Sequence, residues 1–275
     1  MSLGRSAKFG TFIVSLDFEL LWGVRDHHDR ESYGKRILGG REAIVAMLDL
    51  FERYGIHATW ATVGFLLCES KDELIARRPK QLPDYTNPRL SNYRYLGEVG
   101  ANEKSDPYFF GASLARRIAT CPGQELATHT FSHYYTLEAG QTLEQFRSDI
   151  DAAVKILLDR GIVCRSIVFP RNQHASEHVD ICRRAGVVAF RGTERAWCYR
   201  PSPGNEQGVF RRALRLADSY IGLTGPNGPA DDPRRHRVPA AGVHVDGTGA
   251  GREPCLGVPG SRDRRAAGRG VQDRT

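Results

Sequence analysis

Short apolar runs and amphipathic stretches alternate along most of the chain. Thr11–Leu16 (TFIVSL) is β-branched and apolar, with the length of a buried strand. Arg41–Tyr54 carries apolar residues at helical spacing and stops at Gly55, a residue suited to the left-handed position past a helix end. His57–Val63 reads as a second strand, and Glu125–Thr128 as a third that ends at His129. Leu143–Asp159 is the plainest helix: Thr142 caps it, Gln145 completes a capping box and Gly161 closes it. Ser166–Phe169 is a further strand, Glu177–Ala185 a helix capped by Ser176, and Val187–Phe190 a last strand. Between them, Cys68 to Tyr108 is polar, rich in Pro, Asn and Tyr and weakly periodic. Loops of that length are uncommon unless functional, so a substrate-binding insertion is expected there.

Strand–helix alternation with Gly at the helix exits predicts an α/β fold, a parallel sheet wrapped by helices as a closed or incomplete (β/α) barrel. In such folds chemistry gathers where strands end. A catalytic domain over residues 1–228 is expected, followed by a different kind of sequence. Pro229–Thr275 has no aromatic residue, no Ile, Lys or Met and one Leu, against eight Gly, five Pro and nine Arg. It cannot bury a core, so a disordered tail is expected. Its composition is also what a GC-rich gene gives when read out of frame, so the natural C-terminus is expected to be lost from about Gly228.

Charge changes little. Of the net +7, the tail contributes +3 through nine Arg against six acids, leaving +4 for the rest. No Lys/Arg run with interleaved aromatics suggests a nucleic-acid partner. No apolar stretch approaches the roughly 18 residues of a membrane span, and the N-terminus has no signal-peptide core; a cytoplasmic protein is expected. The six cysteines lack C-x-x-C spacing and read as free thiols.

Three strand ends carry candidate chemistry. In an extended Ser15-Leu16-Asp17-Phe18-Glu19, Asp17 and Glu19 share one face. His129-Thr130-Phe131-Ser132-His133 places two histidines four apart, able to meet one metal from a single helical turn. With Glu19 they make a two-histidine, one-carboxylate set that leaves positions open for water and substrate. Phe169-Pro170-Arg171-Asn172-Gln173 sets an Arg in the turn after a strand. A second H-x-x-x-H, His174 to His178, lies at a helix entry with no strand directly before it. His57 reads as structural, and His27-His28 as near the mouth of the site.

Together these segments resemble the polysaccharide deacetylase family (the chitooligosaccharide-deacetylase homology domain, carbohydrate esterase family 4) over about residues 9–225. His129-Thr130-Phe131-Ser132-His133 fits that family's H-[ST]-x-x-H motif in full. The resemblance implies an irregular (β/α) barrel and a hydrolase that removes N-acetyl groups from an amino sugar of a polysaccharide or its precursor, of the kind used in surface polysaccharide or lipopolysaccharide synthesis. It implies Asp17 as general base, Arg171 as the partner orienting it, and Glu19, His129 and His133 as ligands of a divalent ion, zinc by expectation. Trp22, Asn172 and Gln173 are the expected substrate contacts, with a backbone N–H of Asn172 or Gln173 on the oxyanion. Two departures stand out: Phe18 separates the acidic pair, and the Arg motif reads Pro-Arg-Asn-Gln. The family's late general-acid histidine has no counterpart except His236 or His244 in the tail. Hydrolysis of a formamido sugar or cyclic ureide, or sugar binding without turnover, are the alternatives.

Overall fold

The computed structural model describes residues 12–193, 196–200, 202–203, 208–222 and 224. The tail from Pro229, with His236 and His244, lies outside the described residues. Five strands are formed: β1 (Val14–Phe18), β2 (Ala58–Thr62), β3 (Gln124–Thr128), β4 (Ser166–Ile167) and β5 (Ala189–Phe190). All pair in parallel, in the order β1-β2-β3-β4-β5. Each new strand is added on the same side as the last. Crossovers of one hand then lay every helix on one face, and the sheet rolls instead of winding both ways.

The degree of rolling is read from one side chain. Arg191, just past β5, donates to Ser15 Oγ at 3.3 Å and Asp17 Oδ2 at 3.0 Å, both on β1. In a flat sheet those edges would stand roughly 19 Å apart, beyond an arginine's reach. The sheet is therefore an incomplete (β/α) barrel whose two edges are linked by an ion pair. Inward-facing residues are small or polar: Glu125 accepts from Thr59 Oγ1 at 2.8 Å and Ser166 Oγ at 2.7 Å, and Ala61 and Ala127 follow one step along. The outward face carries Phe18, Trp60, Leu126 and Ile167, part of the main core.

Helix α1 (Arg30–Tyr54) is capped by Asp29 and Ser32 reciprocally and ends at Gly55, with φ 62°. It begins eleven residues before the expected Arg41. Gly39-Gly40 reads as a break, yet both glycines face solvent while Ile37 and Ile44 stay on the buried stripe. The helix tolerates a cost of about 1 kcal/mol for each. The expected loop 68–108 is instead well packed. It holds α2 (Lys71–Ala76) and 3-10 turns at Pro88–Leu90 and Asn92–Glu98, and it buries Leu74, Leu96 and Val99. Next come α3 (Ala112–Thr120), which buries Leu114, Ala115 and Ile118, and α4 (Leu143–Asp159), whose capping box is formed by Thr142 and Gln145. In α5 (Ser176–Arg184) the cap is Ala175, not Ser176. The His178 side chain accepts from Ala175 N at 3.2 Å, which satisfies the N-cap residue's own N–H as the N3 partner of a capping box does. Helix α6 (Val209–Ile221) turns Asp218 inward and leaves Val209, Phe210, Leu216 and Tyr220 exposed.

Candidate active site

Glu19 stands where β1 stops. Its backbone leaves the extended region (φ −131°, ψ −15°), Leu20 takes a left-handed φ of 46°, and a 3-10 turn, Leu20–Gly23, folds back beneath the carboxylate. A Cβ on Gly23 would lie 2.0 Å from Glu19 Cδ. Only a glycine leaves room for the carboxylate to rest there.

The histidine segment is a loop, not the expected helical turn. His129 N still bonds Thr62 O at 2.8 Å as an extension of the sheet, after which Thr130 (φ 65°) and His133 (φ 60°) adopt left-handed conformations. The cause is Asp149 of α4. Its carboxylate accepts from Phe131 N at 2.7 Å, Ser132 N at 3.2 Å and Ser132 Oγ at 2.5 Å, so these groups are not available to an i→i+4 ladder. Asn92 Nδ2 adds bonds to Ser132 O (3.0 Å) and Trp22 O (3.1 Å), fastening this loop to the one that carries Glu19.

The loops converge. Glu19 Oε2 lies 3.2 Å from His129 Nε2 and 3.0 Å from His133 Nε2. One ligand atom from each of the three residues lies within 4.8 Å of the others. His129 Nδ1 is 2.8 Å from Val168 O, a carbonyl, so Nδ1 donates the hydrogen bond. In a neutral His129, Nε2 then turns its lone pair toward a carboxylate oxygen. Two acceptors facing each other repel, and a cation between them removes the conflict. Burial pushes the Glu19 carboxyl up, but where His129 and His133 carry protons their hydrogen bonds and charge outweigh it and hold it well below the usual carboxylate range. Burial lowers His133 despite Glu19 beside it, which favours the neutral ligand form. The residues fit a divalent ion.

Asp17 is held by a residue the sequence did not single out. Arg191 grips it with both ends, Nη1 to Oδ1 at 2.9 Å and Nη2 to Oδ2 at 3.0 Å, and its Nε donates to Asn172 Oδ1 at 3.2 Å. Arg171, expected there, is elsewhere. Its left-handed backbone (φ 55°, ψ 18°) aims the guanidinium over the Tyr135 ring, 4.1 Å from the centroid. It pairs with Asp26 and, at 3.4 Å, with Glu138. Arg191 carried a signal of the same kind as those at Asp17, His129 and Arg171: a polar or charged residue at or just past the end of an apolar strand.

The expected substrate contacts are also corrected. Trp22 is buried in the core, with its Nε1 on Phe109 O at 2.8 Å and its ring edge-on to Phe65. Neither Asn172 N nor Gln173 N is free for an oxyanion. The 3-10 turn spends them on Phe169 O (2.8 Å) and Pro170 O (3.1 Å). The buried Gln173 side chain donates to Glu138 Oε1 at 2.8 Å and Ser202 O at 3.2 Å. His174 stacks on Phe169, and His178 lies edge-on to Phe146, where burial lowers it to about 4. Among the described residues these two join no third ligand. His57 is exposed just ahead of β2, at the far end of the sheet. Asp26 holds His27 at 3.1 Å, and His28 stacks on Tyr33.

The sequence matches no family model and no curated protein. Solved structures of similar shape include a family 4 carbohydrate esterase from Streptomyces lividans in complex with acetate (TM-score 0.37, 14% identity, 83% of this chain and 97% of that one). Another is a de-N-acetylase from Aggregatibacter actinomycetemcomitans (TM-score 0.39, 13% identity, 74% and 73%). A third is a carbohydrate esterase family 4 pseudoenzyme from Bacillus anthracis (TM-score 0.37, 13% identity, 78% and 61%). This chain spans 43% of the length of a mutant of that pseudoenzyme with restored activity. These likenesses are distant, and the roles of residues here are read from their own geometry.

Proposed function

We propose that the protein is a metal-dependent hydrolase that removes an N-acetyl group from an amino sugar of a polysaccharide or its precursor. The observation that carries this is the meeting of Glu19 Oε2 with the Nε2 atoms of His129 and His133, at 3.2 and 3.0 Å, at the C-terminal end of the sheet and two residues from Asp17. The motif resemblance supports the same reading. Glu19, His129 and His133 would hold a divalent ion, zinc by ligand type, which would supply Lewis acidity and a water of lowered pKa, from 15.7 towards about 7. Asp17 would be the base that takes the water's proton as the C–N bond of the amide is exchanged for a C–O bond; the proton ends on the departing nitrogen, giving acetate and a free amine. Arg191 fixes the Asp17 carboxylate by a bidentate grip. Tyr135, edge-on to His133 with ring centroids 5.0 Å apart, walls the site on the Arg171 side.

The test couples metal analysis to acetate release over a panel of N-acetylated sugars. Asp17→Asn retains the ion and loses turnover, whereas His129→Ala loses both. Unchanged turnover in Asp17→Asn removes Asp17 as the base. A bound ion without acetate release from any sugar would move the protein to the sugar-binding alternative.

A further inference from the structure

Next to the three ligands lies a cleft of about 1150 Å³ that the reaction above does not use. It shares Gly23 with the ligand site, the residue on which the Glu19 carboxylate rests. It also borders Arg171, which covers Tyr135, the ring beside His133. Ligand sites of 300–1,000 Å³ hold molecules larger than a monosaccharide, so the cleft has room well beyond one N-acetylated unit.

Its charge is one-sided. Four guanidiniums, Arg89, Arg171, Arg212 and Arg215, face it with two carboxylates, Asp26 and Glu138. Arg171 pairs with both carboxylates. Among the described residues no carboxylate forms an ion pair with Arg89 or Arg212, and both side chains are exposed. They come from distant parts of the chain, the packed loop 68–108 and α6, and meet across one opening. A guanidinium offers a planar fork of donors that matches a phosphate or a carboxylate.

We propose that this cleft binds an anionic group of the substrate, a phosphate or a carboxylate on the portion next to the N-acetylated sugar, through Arg89 and Arg212. The assignment as a substrate subsite rests on the deacetylase reading; the binding of anions does not. A phosphate would mark a phosphate-linked sugar precursor, and a carboxylate an acidic glycan.

The metal-loaded full chain is titrated calorimetrically with glucose 1-phosphate, with glucuronate and with neutral glucose. At least one anion binds about tenfold tighter than glucose. The exposed pair Arg89→Ala/Arg212→Ala loses that advantage. Arg53→Ala, an exposed change at the end of α1, leaves it within about twofold. Which anion binds identifies the source. Equal binding of anions and glucose, an unaffected double variant, or an equal loss in Arg53→Ala each overturns the proposal. Anion binding lost in the double variant, without acetate release from any sugar, would sink the deacetylase reading and leave the anion site. Acetate release without anion binding would do the reverse.

Discussion

Gly23→Ala tests the ligand site through a residue that bears no ligand atom. The added Cβ would lie 2.0 Å from Glu19 Cδ, 2.1 Å from Oε1 and 2.5 Å from Oε2. Ordinary contact starts at 3.4 Å, so the carboxylate must retreat by about 1.4 Å. Metal–oxygen bonds tolerate only about ±0.2 Å around 2.0–2.2 Å. Glu19 therefore drops out while both histidines stay. Removal of an outer-shell support costs 10–100-fold in affinity, and loss of a direct ligand should cost at least about 100-fold, or ~2.7 kcal/mol. The fold should not suffer, because Gly23 has no positive φ that would strain an alanine. Zinc affinity by competition with a chromophoric chelator, alongside Tm in excess chelator, separates the two effects. Wild-type zinc affinity in Gly23→Ala would refute Glu19 as a ligand, and a collapsed Tm would show that Gly23 serves the fold instead.

Arg191→Lys replaces a two-point grip with one; kcat should fall about tenfold with metal content unchanged. Arg171→Lys, which touches neither Asp17 nor the ligands, should act mainly on KM. Equal effects in steady-state kinetics would return Arg171 to the base. Asp149 yields a pH test: burial raises its carboxyl to about 6, only partly offset by the bonds from Ser132 and Phe131. The folded value lies above the unfolded one near 3.8, so its contribution is fully present below about pH 4 and lost as pH rises through 6. About two pH units correspond to roughly 3 kcal/mol. The Tm gap between wild type and Asp149→Asn should narrow over that window; a widening gap would mean that the three hydrogen bonds keep it ionised despite burial. Leu216→Ser, on the exposed face of α6, should shift stability by no more than about 0.5 kcal/mol in denaturant unfolding.

Local signals were legible and distant ones were not. The capping box Thr142/Gln145 is written within four residues, and α4 runs as its spacing predicts, Leu143–Asp159. The sites at the ends of β1 and β3 were visible because a polar residue directly after an apolar run is itself local. The Asp17–Arg191 pair spans 174 positions, and no periodicity reports which cation a rolled sheet brings to its first strand. Asp149 carried a signal that could have been found. It sits on the buried stripe of α4 with Phe146, Ile150 and Ala153, where a solvated acid has no place. The histidine loop follows from it, since the backbone shape at Thr130 and His133 is set by a carboxylate on another element.

The link between the sheet's edges also fixes an order of events during synthesis. The groups that shape the ligand site are complete only at Val168, whose carbonyl orients His129 after Asp149 has set the loop, and Arg191 emerges 23 residues later. At about 5–20 residues per second that delay is roughly 1–5 s. On the roles proposed above, a nascent chain has its ligands before its base is aligned, so ion capture and hydrolytic competence are separated in time. The arginine that joins β5 to β1 completes both at once: the sheet is drawn together and the base is aimed in the same step.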